Sequence, residues 1–361
     1  MDLAAQYRSI RPEVDAAIQR ILDNTSFILG DEVRTFEDAY ATHVQAAGAV
    51  GVSSGTAAIE LALRALGVGE WDEVITTAHT FIATAEAISN IGAVPVFADI
   101  DPATFNIDPN HVEDLVTERT KAILAVHLYG RPADLTSLMA IAERRGLWLV
   151  EDAAQAHGAE IDGRRCGSIG HLACFSFYPG KNLGAYGDAG AITGNDSAVL
   201  DRIRMLRDHG RTTKYEHVEI GFAERIDALQ AAILAAKLPH LENWTEARRR
   251  LAACYTRLLA NDDVVVPVET DGVRHVYHLY VIRSSKRDGL LEHLKGAGIG
   301  AGIHYPIPLH RQPAYLKRGY GPVSLPHTER AAAEVLSLPI YPELSDEQQQ
   351  AVVDAVGSFH G

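Results

Sequence analysis

The spacing of short apolar runs restricts this chain more than any other feature. Ala49–Ser53, Glu73–Thr77, Val94–Asp99, Lys121–Leu128 and Leu147–Asp152 are nearly continuous in apolar character. Helix-like stretches lie between them, at Ala57–Leu66, Thr80–Asn90, Val112–Glu118 and Leu135–Arg145. Strands apolar on both faces that alternate with helices predict an α/β fold, a mostly parallel sheet covered on both sides. Leu172–Tyr178 and Ala189–Thr193 read as further strands of that sheet. Arg225–Arg250 predicts one long helix, or a pair broken at Pro239, whose ring cannot continue a helix. The texture then changes. A helix over Arg248–Leu259, strands over Val264–Pro267 and His278–Arg283, a helix over Gly289–Ala297 and a Pro-rich loop from Ile303 to Pro313 suggest a smaller α+β unit. The expected organisation is a large domain over 1–240 and a small C-terminal domain over 241–361.

Several function classes fall away. A formal net charge of -14 disfavours nucleic acid, because phosphate neutralisation needs basic patches. No run of about 18 apolar residues occurs, so no membrane span is expected. The opening MDLAAQYRSIRPEVDAAIQ carries charges and no apolar core, unlike a secretory leader, and the expected location is cytoplasmic. Cys166, Cys174 and Cys254 form no CxxC pair and suit buried thiols in a reducing compartment. With no HExxH and no paired His/Cys spacing, no metal is expected.

In open parallel sheets, ligands sit at the carboxyl ends of the strands. Three clusters fall on that edge. In SSGTAA (Ser53–Ala58) a strand passes through a glycine into a helix, whose free N–H groups, with Thr56 beside them, suit a phosphate; a plain tight turn reads equally well. In LWLVEDAAQAHGA (Leu147–Ala159) the strand ends at Asp152, where a carboxylate either caps a helix or holds a proton on a pyridine nitrogen; Gln155 stands three residues on. In CFSFYPGKNLGAYGDAGAI (Cys174–Ile192) a strand delivers Ser176, and Lys181 follows between Gly180 and Gly184. A lysine in a dry pocket loses its proton readily and can form an imine with an aldehyde.

These motifs, in this order, resemble the DegT/DnrJ/EryC1/StrS family of sugar aminotransferases. The resemblance runs from DLAAQY and NTSFILGDEVRTFE to GIHYPIPLHRQPAY and LSLPIYPEL. It implies a fold type I enzyme dependent on pyridoxal 5′-phosphate (PLP), with pyridoxamine 5′-phosphate as intermediate, and a homodimer with shared active sites. It assigns Lys181 as the imine lysine, Asp152 to the pyridine nitrogen and Gln155 to the phenolic oxygen. Gly55, Thr56 and Ser176 fall at the phosphate, and Phe81 in AHTFIATAEAI stacks on the ring. His304 and Tyr305 of GIHYPIPLH fall at the sugar-nucleotide site, with Tyr186 and Arg225 as further substrate candidates; a structural salt bridge reads equally well for Arg225. The chain departs from the family pattern at Gly221-Phe222-Ala223-Glu224-Arg225, where an asparagine is usual in place of Ala223 and reaches the partner's cofactor phosphate. The implied reaction moves an amino group, from glutamate, to a keto group of a nucleotide-linked deoxy sugar, at C-3 rather than C-4. Rival readings are a same-family transaminase of a cyclitol or aromatic precursor and a non-enzymatic regulator that senses PLP or a sugar. In the family's dehydratases a histidine replaces the imine lysine, and Lys181 stands against that activity.

Overall fold

The computed structural model describes residues 2–259, 264–318 and 323–359. The alternation of apolar runs and helices becomes strands β1 (Gly48–Val52), β2 (Glu73–Thr77), β3 (Val94–Ala98), β4 (Thr120–Val126) and β5 (Trp148–Asp152). The short β6 (Glu160–Ile161) and β7 (Arg164–Arg165) follow, then β8 (Leu172–Ser176) and β9 (Gly190–Gly194). Seven of these form one sheet in the order β1-β9-β8-β5-β4-β2-β3. Strand β9 runs antiparallel to both of its neighbours, β1 and β8, and the other pairings are parallel. The architecture is the expected α/β one.

Alternation along each strand feeds two cores, since successive side chains leave a sheet on opposite faces. Val74, Leu124 and Val150 pack with Ala58, Leu61 and Ala62 of the helix Gly55–Ala65. Ile75, Ile123 and Leu149 pack on the other side with Leu138 and Ile141 of the helix Leu135–Arg145. A third cluster joins Phe175 and Phe177 to Phe36 and Tyr40 of the helix Asp31–Val44. That helix and its predecessors, Leu3–Ser9 and Arg11–Asn24, were not anticipated.

Element ends differ from the sequence reading for local reasons. The helix expected from Thr80 starts at Ala83. The one expected over Val112–Glu118 spans Pro109–Asp114, capped by Asp108 with Pro109 in its first turn, where a missing N–H does no harm. Arg225–Arg250 resolves into Ala228–Lys237, a 3-10 turn at Leu238–His240 that contains Pro239, and Leu241–Leu259. Arg248–Leu259 is therefore the second half of a longer helix. Val264–Pro267 forms no strand among the described residues, and Val265 bridges to Arg283.

In the C-terminal part, β10 (Val273–Arg274) joins β6 and β7 in a ribbon, and β11 (Tyr280–Arg283) pairs antiparallel with β12 (Val335–Leu338). Tyr255, Tyr277, Tyr280, Leu336 and Leu338 form a separate core there. Among the described residues no helix is long and apolar enough to cross a membrane.

Candidate active site

The carboxyl ends of β1, β5 and β8 and the loop after β2 open on one cleft of about 880 Å³, closed from above by segments around His278, Gly300–Tyr305 and Ser337–Ile340. Six of the residues singled out at the cofactor (Gly55, Thr56, Phe81, Asp152, Gln155 and Ser176) line it together with Lys181.

Strand β5 ends in adjacent carboxylates that the pleat sends to opposite sides. Asp152 faces the cleft; its Oδ2 accepts from the Thr84 hydroxyl at 2.8 Å and its Oδ1 from the Ala154 N–H at 3.2 Å. Glu151 turns away and is fully buried, accepting from His127 Nε2 at 2.9 Å and from the N–H groups of Gly167, Ile169 and Gly170. Burial alone would raise the Glu151 carboxyl, but the bonds from His127 and the loop N–H groups hold it below its usual range.

Lys181 rides on a turn held by its own N–H to Tyr178 O at 2.8 Å and by Ala185 N–H to Phe177 O at 2.7 Å. Gly184 closes that turn so tightly that a Cβ would collide with the Pro179 carbonyl. The Lys181 side chain makes no hydrogen bond or ion pair among the described residues. Burial, opposed by the Asp152 charge, pulls its ammonium down to about 8. It can therefore lose a proton near neutrality.

An anion cradle sits between β1 and β8. Ser54 caps the helix Gly55–Ala65 by accepting from Ala57 N–H at 3.1 Å, leaving the N–H groups of Gly55 and Thr56 without an intrahelical partner. A Cβ at Gly55 would stand 2.7 Å from Ser176 Cβ, so only glycine lets the helix start and the Ser176 hydroxyl come together. Across the cleft, Phe81 is 55% exposed and lies 5.9 Å from the ring of Tyr305, forming an apolar wall. Gln155 Oε1 accepts from Tyr129 N–H at 2.6 Å while Nε2 donates to Tyr305 OH at 3.1 Å, leaving the Tyr305 proton free to donate onward. Burial pushes that phenol up to about 12, so it keeps its proton. His304 Nδ1 lies 2.9 Å from Ser337 Oγ, and burial, with Lys181 nearby, lowers the ring below its usual value.

Two candidates stand elsewhere. Tyr186 stacks edge-on to Tyr7 and covers Lys237, and it does not line the cleft. Arg225 is paired to Asp208 at 2.6 Å beside the exposed Ala223, also outside the cleft within one chain. Sequence reasoning passed over Thr84, Asp188, Tyr129, His278 and Ser337. Thr84, in the segment read as helical from Thr80, was legible as a polar position beside the ligand edge; the others come from loops, a 3-10 turn and β12, which only the fold brings together.

His127, Glu151 and Cys166 place ligand-type atoms within 4.8 Å of one another. Each His127 nitrogen is already engaged, Nδ1 by Ala133 N–H at 3.0 Å and Nε2 by Glu151, so this cluster is a satisfied buried network. His157, from the same motif as Asp152, packs its ring against Tyr40, Phe175 and Phe177, and burial keeps it neutral, down to about 3. All three cysteines are free thiols, with Cys166 and Cys174 buried.

Comparison with known proteins places this geometry. Residues 8–357 match the DegT/DnrJ/EryC1/StrS aminotransferase family. A protein of Geobacillus stearothermophilus named a pleiotropic regulatory protein is 50% identical over 100% of this chain and 98% of its own. The dTDP-3-amino-3,4,6-trideoxy-alpha-D-glucose transaminase of Streptomyces venezuelae is 46% identical over 99% of this chain and 94% of its own. The crystal structure of S. venezuelae DesV in complex with a ketimine intermediate superposes with a TM-score of 0.96 at 46% identity, covering 98% of this chain and 96% of that one.

Proposed function

The chain belongs to the DegT/DnrJ/EryC1/StrS aminotransferase family, and from that premise we propose that it transfers an amino group from glutamate to the C-3 keto group of a nucleotide-linked deoxy sugar. One observation carries the reading: Lys181, Asp152 and the cradle at Gly55 and Ser176 face a single cleft. The C-3 position rests on the GIHYPIPLH loop and on the Streptomyces venezuelae relative, whose name specifies a 3-amino sugar.

The cleft fits PLP. The close approach of Gly55 to Ser176 shapes a pocket for its phosphate, held by the helix N–H groups and the hydroxyls of Thr56 and Ser176. Asp152, aimed by Thr84, would sit against its ring nitrogen, Gln155 near its phenolic oxygen and Phe81 over its face. When bound, PLP supplies the electron sink that stabilises a carbanion beside nitrogen. Asp152 would hold the proton that makes this sink effective. Lys181, with a proton affinity near neutrality, would move the proton at the α-carbon of the amino donor, as general base and then acid. The loops of His304 and Tyr305 exclude water and orient the substrate.

The sugar aminotransferase reading extends to a homodimer with shared sites, supported by the exposed apolar side chains of Ile220 (94%) and Tyr215 (82%) in the segment that leads to Ala223; light scattering giving a monomer would contradict it. The test of function is turnover with glutamate against a panel of 3-keto and 4-keto nucleotide sugars. The expected result is amination of a 3-keto sugar; amination only at C-4 removes the positional claim. No turnover with any sugar or cyclitol would favour a non-enzymatic regulator, in line with the name of the Geobacillus relative.

A further inference from the structure

His278 precedes β11 by two residues, and its ring lines the cleft. Its Nδ1 stands 3.2 Å from Oδ1 of Asn182, the residue that follows Lys181. The other end of that amide is fixed, because Asn182 Nδ2 donates to Val276 O at 3.1 Å. Reversing the amide would set two carbonyl oxygens against each other, so Oδ1 is the atom that meets the imidazole. An amide oxygen only accepts, so Nδ1 carries the ring's hydrogen and Nε2 keeps a lone pair. Nε2 makes no hydrogen bond among the described residues and is not sealed off from solvent, so it opens on the cleft. Burial, with the positive charges of Lys181 and Arg248 adding to it, pushes the ring well below its usual range. It is a neutral acceptor and a poor base.

We propose that His278 Nε2 accepts a hydrogen bond from a hydroxyl of the sugar that reacts at Lys181, and that it thereby distinguishes the sugar from the amino-acid donor. The inference rests on the aminotransferase reading. The two substrates present different chemistry to a lone pair. Glutamate brings carboxylates, which only accept, and its one amine becomes the transferred nitrogen. A sugar brings hydroxyls, which donate. A lone pair fixed by Asn182 attracts the hydroxyl and repels the carboxylate, so one group supplies both attraction and exclusion.

The test reads the two half-reactions of the holoenzyme separately by the absorbance of the cofactor, first with glutamate and then with the keto sugar. In His278→Leu the sugar half should weaken about tenfold, the scale of one neutral hydrogen bond, while the glutamate half is unchanged. His278→Gln, which returns an amide oxygen close to the position of Nε2, should recover most of the loss. An equal fall in both halves, or an undiminished sugar half, overturns the proposal. If the leucine variant does not hold cofactor, Asn182→Asp gives a second route. A carboxylate at Nδ1 favours the doubly protonated ring and turns Nε2 into a donor, so the sugar half should again fall further than the glutamate half; parity overturns the proposal. Failure of the underlying reading shows separately, as wild-type protein inert towards glutamate.

Discussion

Glu151 and Asp152 are neighbours in sequence and share the end of β5, yet their surroundings differ completely. Glu151 accepts from an imidazole and three backbone N–H groups, and nothing further can reach it. Asp152 accepts from one hydroxyl and one N–H and still borders open space. The same contrast separates two lysines, each brought down to about 8 by burial. Lys237 donates to Gly184 O at 2.5 Å and sits 4.9 Å from the Tyr186 ring centre and 6.0 Å from that of Trp244. Lys181 has no such partner. Perturbed proton affinity therefore does not separate the two lysines; spare bonding capacity facing a cleft does. On the closed side, the same residue types hold the turn and strand that present the open ones.

The largest effect should separate the lysines. Lys181→Ala should abolish turnover, by about 1000-fold or more, since it removes the group that carries the proton. Lys237→Met should leave kcat within a few-fold and lower stability by about 1–3 kcal/mol, because Gly184 O loses a buried partner. Calorimetry and steady-state kinetics on the pair check this, and equal losses of activity would erase the distinction. Borohydride trapping followed by peptide mapping should find the cofactor on Lys181 alone.

The carboxylates should divide the same way. Asp152→Asn should bind cofactor yet lose about 100- to 1000-fold in kcat, because its charge acts on developing charge in the transition state. Glu151→Gln should leave kcat nearly intact and destabilise the fold by about 3 kcal/mol through the broken buried network. Because the native Glu151 carboxyl is held low, its contribution is present above the ordinary carboxylate range and is lost as pH falls through the native value. Denaturant melts should therefore show that part of the acid destabilisation disappears in Glu151→Gln.

Proton affinity itself gives a smaller, graded signal. In cofactor-free protein the rate of PLP capture should rise about tenfold from pH 7 upward with a midpoint near 8, following loss of the Lys181 proton. A midpoint near the ordinary lysine value would mean that the pocket leaves the amine unperturbed. The smallest effect concerns the position where an asparagine is usual. Ala223→Asn should tighten PLP binding by about tenfold, the low end of what one added hydrogen bond to a charged group is worth. Titration of apoprotein measures it, and flat affinity would mean that another group already fills that place.

The central sheet was legible because buried parallel strands leave continuous apolar runs, Asp152 and Ser176 because they end such runs, and Lys181 because it stands in the glycine-flanked turn after one. The N-terminal helices were less legible. Their periodic apolar positions, Val33, Phe36, Tyr40 and Val44 in Asp31–Val44, acquire meaning only from the aromatic cluster they cover. Arg225 and Tyr186 show the converse. Their residue types suit a substrate site, but within one chain an ion pair and a ring contact engage them away from the cleft.

What the sequence determined by itself is local: which segments become strands, where glycine must stand, and which polar side chains end a strand at the ligand edge. Those depend on periodicity, on the pleat and on a missing Cβ, all properties of a few consecutive residues. The tertiary structure decided which polar groups retain capacity. Glu151 and Asp152 are chemically alike and adjacent, and only His127, 24 residues earlier, and the Gly167–Gly170 loop saturate one of them. Likewise Asn182 and His278, 96 residues apart, fix a lone pair on the cleft only once the C-terminal segment folds over the Lys181 turn. A hydrogen bond needs its partner within about 3 Å, and for residues so far apart in the chain only the fold sets that distance.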